Sequence, residues 1–173
     1  SVYVVVWLGD PSSIMMRSFD PETSGMGPPI EIASRRLHGS ELALSWSGSE
    51  LGLLWTDLSS GSSDLELAFS RFDESGIAMG ETLVLDVSET IAFDPSLDWT
   101  GGAWIAGWKR GGEESGDLRF VVLDPSGNLL PGHANIPTSV FTFNPHATAW
   151  SGSELGVLWS ETSSDPGSIL FAT

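Results

Sequence analysis

The chain has no cysteine. That excludes a disulfide framework and a thiolate metal site, and it leaves the redox compartment undefined. Basic residues are scarce: 7 Lys plus Arg stand against 23 Asp plus Glu, a net charge of −16. Such a surface repels phosphate backbones and anionic lipid headgroups, which argues against nucleic-acid binding. It suits high solubility, a cationic partner, or a salt-rich or calcium-containing medium. No apolar run approaches the ~20 residues of a spanning helix, so membrane insertion is not expected. No signal peptide is visible. The chain opens on Ser1 rather than Met, in mid-repeat, which reads as a processed or trimmed piece of something longer.

What the sequence does contain is a repeat. The stretch LALSWSGSELGLLW (Leu42 to Trp55) recurs as SLDWTGGAWIAGW (Ser96 to Trp108) and ATAWSGSELGVLW (Ala147 to Trp159). Its second half appears once more as VYVVVW (Val2 to Trp7). The first tryptophan falls at Trp46, Trp99 and Trp150, spaced by 53 and 51 residues. The second falls at Trp7, Trp55, Trp108 and Trp159, spaced by 48, 53 and 51. Asp20, Asp73 and Asp124 each open a short turn containing Gly25, Gly76 and Gly127, and Phe69, Phe120 and Phe171 keep the same period. Asp caps its own backbone in a turn and Gly supplies a positive φ, so these aspartates read as turn chemistry rather than metal or catalytic ligands.

Each unit reads as four short strands, because its apolar runs are short and bounded by Gly, Ser, Asp and Pro. In the unit 42–95 the strands are A (Leu42 to Trp46), B (Leu51 to Trp55), C (Leu65 to Phe72) and D (Thr82 to Leu85), and 88–95 is expected as a loop. The units run 1–41, 42–95, 96–146 and 147–173 within one domain, 1–173. The first lacks strand A and the last stops within strand C, leaving fourteen strands. Repeats of about 40 to 50 residues with four strands each are propeller blades. The chain resembles the Trp-bearing β-propeller repeats of secreted bacterial surface proteins, although it lacks a WD dipeptide, a regular GG pair and the S-x-D-x-G-x-x-W box. The resemblance implies an all-β fold of four-stranded antiparallel blades, about 3.5 repeats in this chain. It implies no active site.

Open strand edges invite pairing with another chain. Self-association, or pairing with another fragment of the same parent, is therefore expected to complete the ring; 28 strands in a dimer would equal seven blades of four. On strand A, Leu44 and Trp46 share one face and Ala43 and Ser45 the other. The repeated tryptophans are expected to pack between blades, and Gly52 and Gly156 to leave room for an aromatic or backbone neighbour.

The A–B and C–D turns are alike in every unit, whereas the B–C and D–A loops vary and share the opposite rim. Function tends to sit on variable loops of a regular scaffold. That rim gathers Arg35, Arg36, Lys109 and Arg110, with His38, His133 and His146 in or beside the D–A connections. A basic cluster there suits a carboxylate, a sulfate or an acidic glycan, and three converging histidines could bind a transition metal. Trp104 stands where other units carry Tyr3, Leu51 or Leu155; it could stack on a sugar or fill a gap beside Gly107. The B–C loops offer oxygens for calcium (Asp10, Ser12 and Ser13; Asp57, Ser60 and Asp64; Glu113, Glu114 and Asp117; Glu161 and Asp165), with no EF-hand spacing. Asp98 is the one carboxylate at a channel-facing position of strand A, whereas glycoside hydrolysis needs two. No G-x-S-x-G elbow is present. The sequence thus leans away from an enzyme. It favours a secreted, periplasmic or surface-exposed binding module without a fixed cofactor, its ligand a glycan or a protein. A propeller hydrolase or lyase using Asp98 is the runner-up, and a purely structural segment the third reading.

Overall fold

A computed structural model of the chain describes residues 3–9, 12–34, 41–58, 65–88, 91–111, 116–138, 146–161 and 168–172. Among them are fifteen strands and no helix: β1 (Tyr3–Leu8), β2 (Ser13–Asp20), β3 (Gly25–Met26), β4 (Ile30–Ser34), β5 (Leu42–Trp46), β6 (Glu50–Leu58), β7 (Leu65–Asp73), β8 (Leu83–Ser88), β9 (Ile91–Trp99), β10 (Trp104–Gly111), β11 (Gly116–Leu123), β12 (Leu129–Thr138), β13 (Ala147–Trp150), β14 (Leu155–Glu161) and β15 (Ser168–Ala172). They form four antiparallel sheets in chain order. The first joins β1, β2 and β4, with β3 also on β2; the second runs β5 to β8, the third β9 to β12, and the fourth β13 to β15. The strand added to the expected fourteen is the two-residue β3.

The hairpins between the first two strands of a repeat close identically. Ser47, Thr100 and Ser151 each donate a backbone N–H to the carbonyl three residues on, at Glu50, Ala103 and Glu154. Their hydroxyls accept the N–H of that same residue at 2.9, 3.0 and 3.0 Å. Gly48, Gly101 and Gly152 sit at φ 104, 92 and 106°, which a residue with a Cβ rarely adopts. The aspartate turns likewise cap themselves: Asp73 Oδ1 accepts the N–H groups of Ser75 and Ile77, and Asp124 Oδ1 that of Asn128. In the first unit the register differs. Ser24 takes the positive φ of 54°, and Gly25 has moved into β3.

Residues 91–95 are strand, not loop. They extend β9, with a β-bulge where Asp94 and Pro95 oppose Trp108, between the pairs Phe93↔Lys109 and Ser96↔Gly107. The sheets stack through three apolar layers. Ile14, Met16, Leu51, Leu53 and Trp55 lie between the first and second; Leu54, Phe69, Leu97, Trp104 and Trp108 between the second and third; Leu118, Phe120, Val157 and Trp159 between the third and fourth. β6 is buried on both faces because it serves two layers, Leu51, Leu53 and Trp55 pointing one way and Leu54 the other.

Gly52 belongs to the second layer. A Cβ built there would lie 2.5 Å from the Trp104 ring, so the indole occupies the space the missing side chain leaves. Trp104 therefore fills a gap beside Gly52 of the preceding sheet, not beside Gly107, which is instead closed by Phe120 and Ser96. The second tryptophans Trp55, Trp108 and Trp159 are buried. Trp46 is not: it and Leu44 remain 42% and 45% exposed. Their equivalents Trp99 and Leu97 face β5, whereas among the described residues no strand of the first sheet covers Leu44 and Trp46.

Candidate interaction site

The inner strands β5, β9 and β13 are laced together by polar side chains, one repeat reaching the next. The Glu41 carboxylate accepts the Asp94 N–H, and 52 residues later Asp94 Oδ2 accepts the His146 N–H at 2.6 Å. Ser45 Oγ accepts the Trp99 N–H at 3.1 Å, and Thr148 Oγ1 donates to Asp98 Oδ2 at 2.5 Å. Asp98, the carboxylate of the runner-up enzyme reading, is thus engaged in an inter-sheet bond.

The densest polar cluster forms around His146. Its ring Nδ1 lies 2.9 Å from Asp94 Oδ2 and its Nε2 lies 2.8 Å from Ser96 Oγ. Because a carboxylate only accepts, Nδ1 donates to Asp94, and Nε2 shares the second bond with the Ser96 hydroxyl. Lys109 Nζ stands 3.5 Å from Asp94 Oδ2, with the Phe93 ring 5.9 Å away, and the edge of Phe120 closes on the imidazole at 6.1 Å. Burial pushes the Asp94 carboxyl upward. The hydrogen bonds from the His146 ring and backbone, with the charges of His146 and Lys109, outweigh it and hold the pKa below the ordinary aspartate value. Asp94 also sits at φ 54°, a conformation that persists only where surroundings enforce it.

This connectivity is that of a Ser-His-Asp triad, which is recognised by geometry and not by chain order. A nucleophile, however, needs space for the reacting carbon and oxyanion donors facing it. Ser96 Oγ lies against β10, 2.6 Å from where a Cβ on Gly107 would stand, and the His146 side chain has no exposure. The clefts among the described residues are lined without Ser96, Asp94 or His146. The array is an interlock between the third and fourth sheets. Sequence reasoning missed it, although the shared repeat position of Glu41 and Asp94 was a signal.

Two members of the expected basic rim are paired from within. Lys109 is buried against Asp94, so it presents no charge to an anionic ligand, and Arg110 Nε, partly exposed, stands 3.8 Å from Asp86 Oδ2. Asp117, an expected calcium oxygen, pairs with Arg119 at 2.9 Å. Trp104 leaves the ligand set: at 0% exposure it has no face on which a sugar could stack. His133 lies on the outer strand β12, opposite Val121, while His146 is bonded beside the inner strand β9, so these two do not converge on a metal. Asp57 is buried on β6 and accepts the Leu58 N–H at 2.8 Å; among the described residues no three His, Cys, Asp or Glu group together to hold a metal. Arg35, Arg36, His38 and Asp64 lie outside the described residues, as do Asp10, Ser60, Glu113, Glu114 and Asp165.

The concavity best suited to a ligand lies elsewhere. Between the third and fourth sheets, on the side of the short turns, a cleft of about 460 Å³ is walled by Ile105, Phe120, Val122, Ile136, Leu155 and Val157, with His133 and Glu154 as its titratable groups. β15 pairs with β14 from Val157 to Glu161 among the described residues.

No protein-family model matches the chain, and a search of curated proteins finds no match. Solved structures do match in shape. An acylaminoacyl peptidase from Pyrococcus horikoshii superposes with a TM-score of 0.53 at 12% identity, over 99% of this chain and 29% of that one. An acylaminoacyl peptidase in complex with Z-Gly-Gly-Phe-chloromethyl ketone gives 0.52 at 13%, over 99% and 30%. The fold is β-propeller-like. An endo-arabinase from Bacteroides thetaiotaomicron VPI-5482 reaches 0.49 at 11% identity, over 98% of this chain and 69% of that one. At these identities the likeness is one of fold, and this chain spans less than a third of each peptidase.

Proposed function

We propose that this chain is a non-catalytic interaction module, a portion of a β-propeller, that takes apolar side chains of a protein ligand into the cleft between its third and fourth sheets. The observation that carries the reading is the lining: eight apolar side chains, Pro131 and Ala134 among them, against two titratable ones, in a cleft of ligand size. A glycan would need more hydroxyl partners and an open aromatic face, and Trp104 offers none. A protein segment with one or two large apolar residues matches the walls, and the net charge of −16 favours basic residues around them.

The test uses peptides selected from a random display library on the purified chain, then measured against Leu155→Asp. Leu155 is only half-buried, so the variant is expected to fold. Peptides with an apolar centre should bind the parent and lose about tenfold or more in affinity on the variant. Equal binding to both would sink the cleft as the site. Hydrolysis of a glycoside or ester panel that disappears in Asp98→Asn or His146→Ala would replace the reading with an enzyme.

A further inference from the structure

The repeat places two clefts at equivalent positions, and different side chains fill them. Trp55 and Trp108 occupy the same position of their units, paired with Ala68 and Arg119. On the outer strands, Ala33 opposite Ile14 and Asp86 opposite Leu67 each form the last pair before a bulge. Between the second and third sheets, Asp86 accepts the Trp108 indole N–H at 3.0 Å and stands 3.8 Å from Arg110, while Arg119 holds Asp117 at 2.9 Å. The cleft left beside them measures about 230 Å³.

Between the first and second sheets, Ala33 stands in place of Asp86, Ala68 in place of Arg119 and Asp57 in place of Arg110. The cleft there opens to about 440 Å³, within the range of small-molecule sites. Trp55, 3% exposed, lines it, and its buried indole N–H has no acceptor. Asp57 and Glu66 oppose each other across β6 and β7, on the face that carries Trp55, and both line the cleft. Ser70 and Thr82 add hydroxyls, their oxygens 2.7 Å apart. The sister cleft contains its own acceptor and its own cations. This one has a donor and two carboxylates, and no basic side chain is among its described lining residues.

We propose that the cleft beside Trp55 binds a small polar amine of the amino-sugar class. The ammonium group lies at Asp57 and Glu66, where like charges directly opposed across a sheet favour an intervening cation. An oxygen of the same molecule lies over Ala33 and accepts the Trp55 indole N–H, as Asp86 accepts that of Trp108. Ring hydroxyls exchange hydrogen bonds with Ser70 and Thr82. Two carboxylates fall short of the six to eight oxygens of a calcium site, so the cation that fits is an organic one. This cleft shares no residue with the one between the third and fourth sheets, and either can fail without the other.

Glucosamine, titrated into the intact chain at about pH 6 so that its amine is protonated, tests the proposal through the tryptophan indole N–H resonances. It should move the resonance that is missing from Trp55→Phe, a variant that keeps an aromatic ring and removes the donor. N-acetylglucosamine, whose nitrogen is neutral, and methylamine, which has no oxygen, should each bind at least about tenfold more weakly. Asp57→Asn, which keeps a side-chain oxygen for the Leu58 N–H, should cost about tenfold as well. Leu155→Asp should leave the titration unchanged. Failure of glucosamine to move the Trp55 resonance overturns the proposal, as does equal binding of N-acetylglucosamine or of Asp57→Asn. A lysine peptide that binds more tightly and displaces the sugar would assign the cleft to a protein, and that too overturns it.

Discussion

Replacing Trp104 with alanine is expected to lower the unfolding free energy by about 3–5 kcal/mol, the range for deleting a buried aromatic side chain. The indole has no exposure, fills the recess over Gly52, and packs against Trp99 and Phe69 at ring-centroid distances of 4.5 and 5.9 Å. The second and third sheets could not collapse on the cavity without moving β6, which is also pinned by the first sheet. Gly52→Ala attacks the same contact from the other side. Its methyl would stand 2.5 Å from a ring with nowhere to go, and overpacking of this kind costs about 1–3 kcal/mol. Urea unfolding of the two variants checks both. A Trp104→Ala protein of near-parental stability that had lost a ligand would return Trp104 to the binding surface.

The second large effect is expected at His146. His146→Ala leaves the Asp94 carboxylate and the Ser96 hydroxyl half-buried without their ring partner, and an orphaned buried polar group costs about 1–3 kcal/mol. The loss should depend on pH. Asp94 has a folded-state pKa below its ordinary value. Its interactions therefore stabilise the fold above the unfolded-state aspartate pKa, about 4, and that contribution disappears as pH falls through the lower folded-state value. The stability gap between parent and variant should accordingly be widest near neutrality and narrow below about pH 4. Denaturant titrations between pH 7 and pH 3 measure it. A gap that widened on acidification would contradict the interlock.

Much of the architecture was legible because it is written in short-range chemistry. The hydroxyl at Ser47, Thr100 and Ser151, followed each time by a glycine, defines a hairpin within four residues. Aspartates at Asp73 and Asp124 cap their own turns. Between these turns the apolar alternation has room only for strands, and the recurrence of the pattern gives the number of sheets. β5, expected from Leu42 to Trp46, has those bounds in the structure. Where the expectation slipped, at 91–95, the cause was a bulge: Asp94 and Pro95 look like loop residues, and only the pairing with β10 makes them strand.

The candidate sites were not legible in the same way. Whether a tryptophan is a platform or a core residue depends on what the adjacent sheet puts against it, and that neighbour lies about fifty residues away in the chain. Trp104 is sealed because Gly52 faces it; Trp46 stays partly open because, among the described residues, no strand of the first sheet is laid over it. Lys109 and Arg110 read as a free basic pair, and the fold spends them on Asp94 and Asp86. His146 read as a rim ligand, and its distance from Asp94 in sequence hid a bond made between adjacent repeats. Strands and turns follow from neighbours in the chain. Exposure, charge pairing and concavity follow from neighbours in space, so only the stacking of the sheets could decide them.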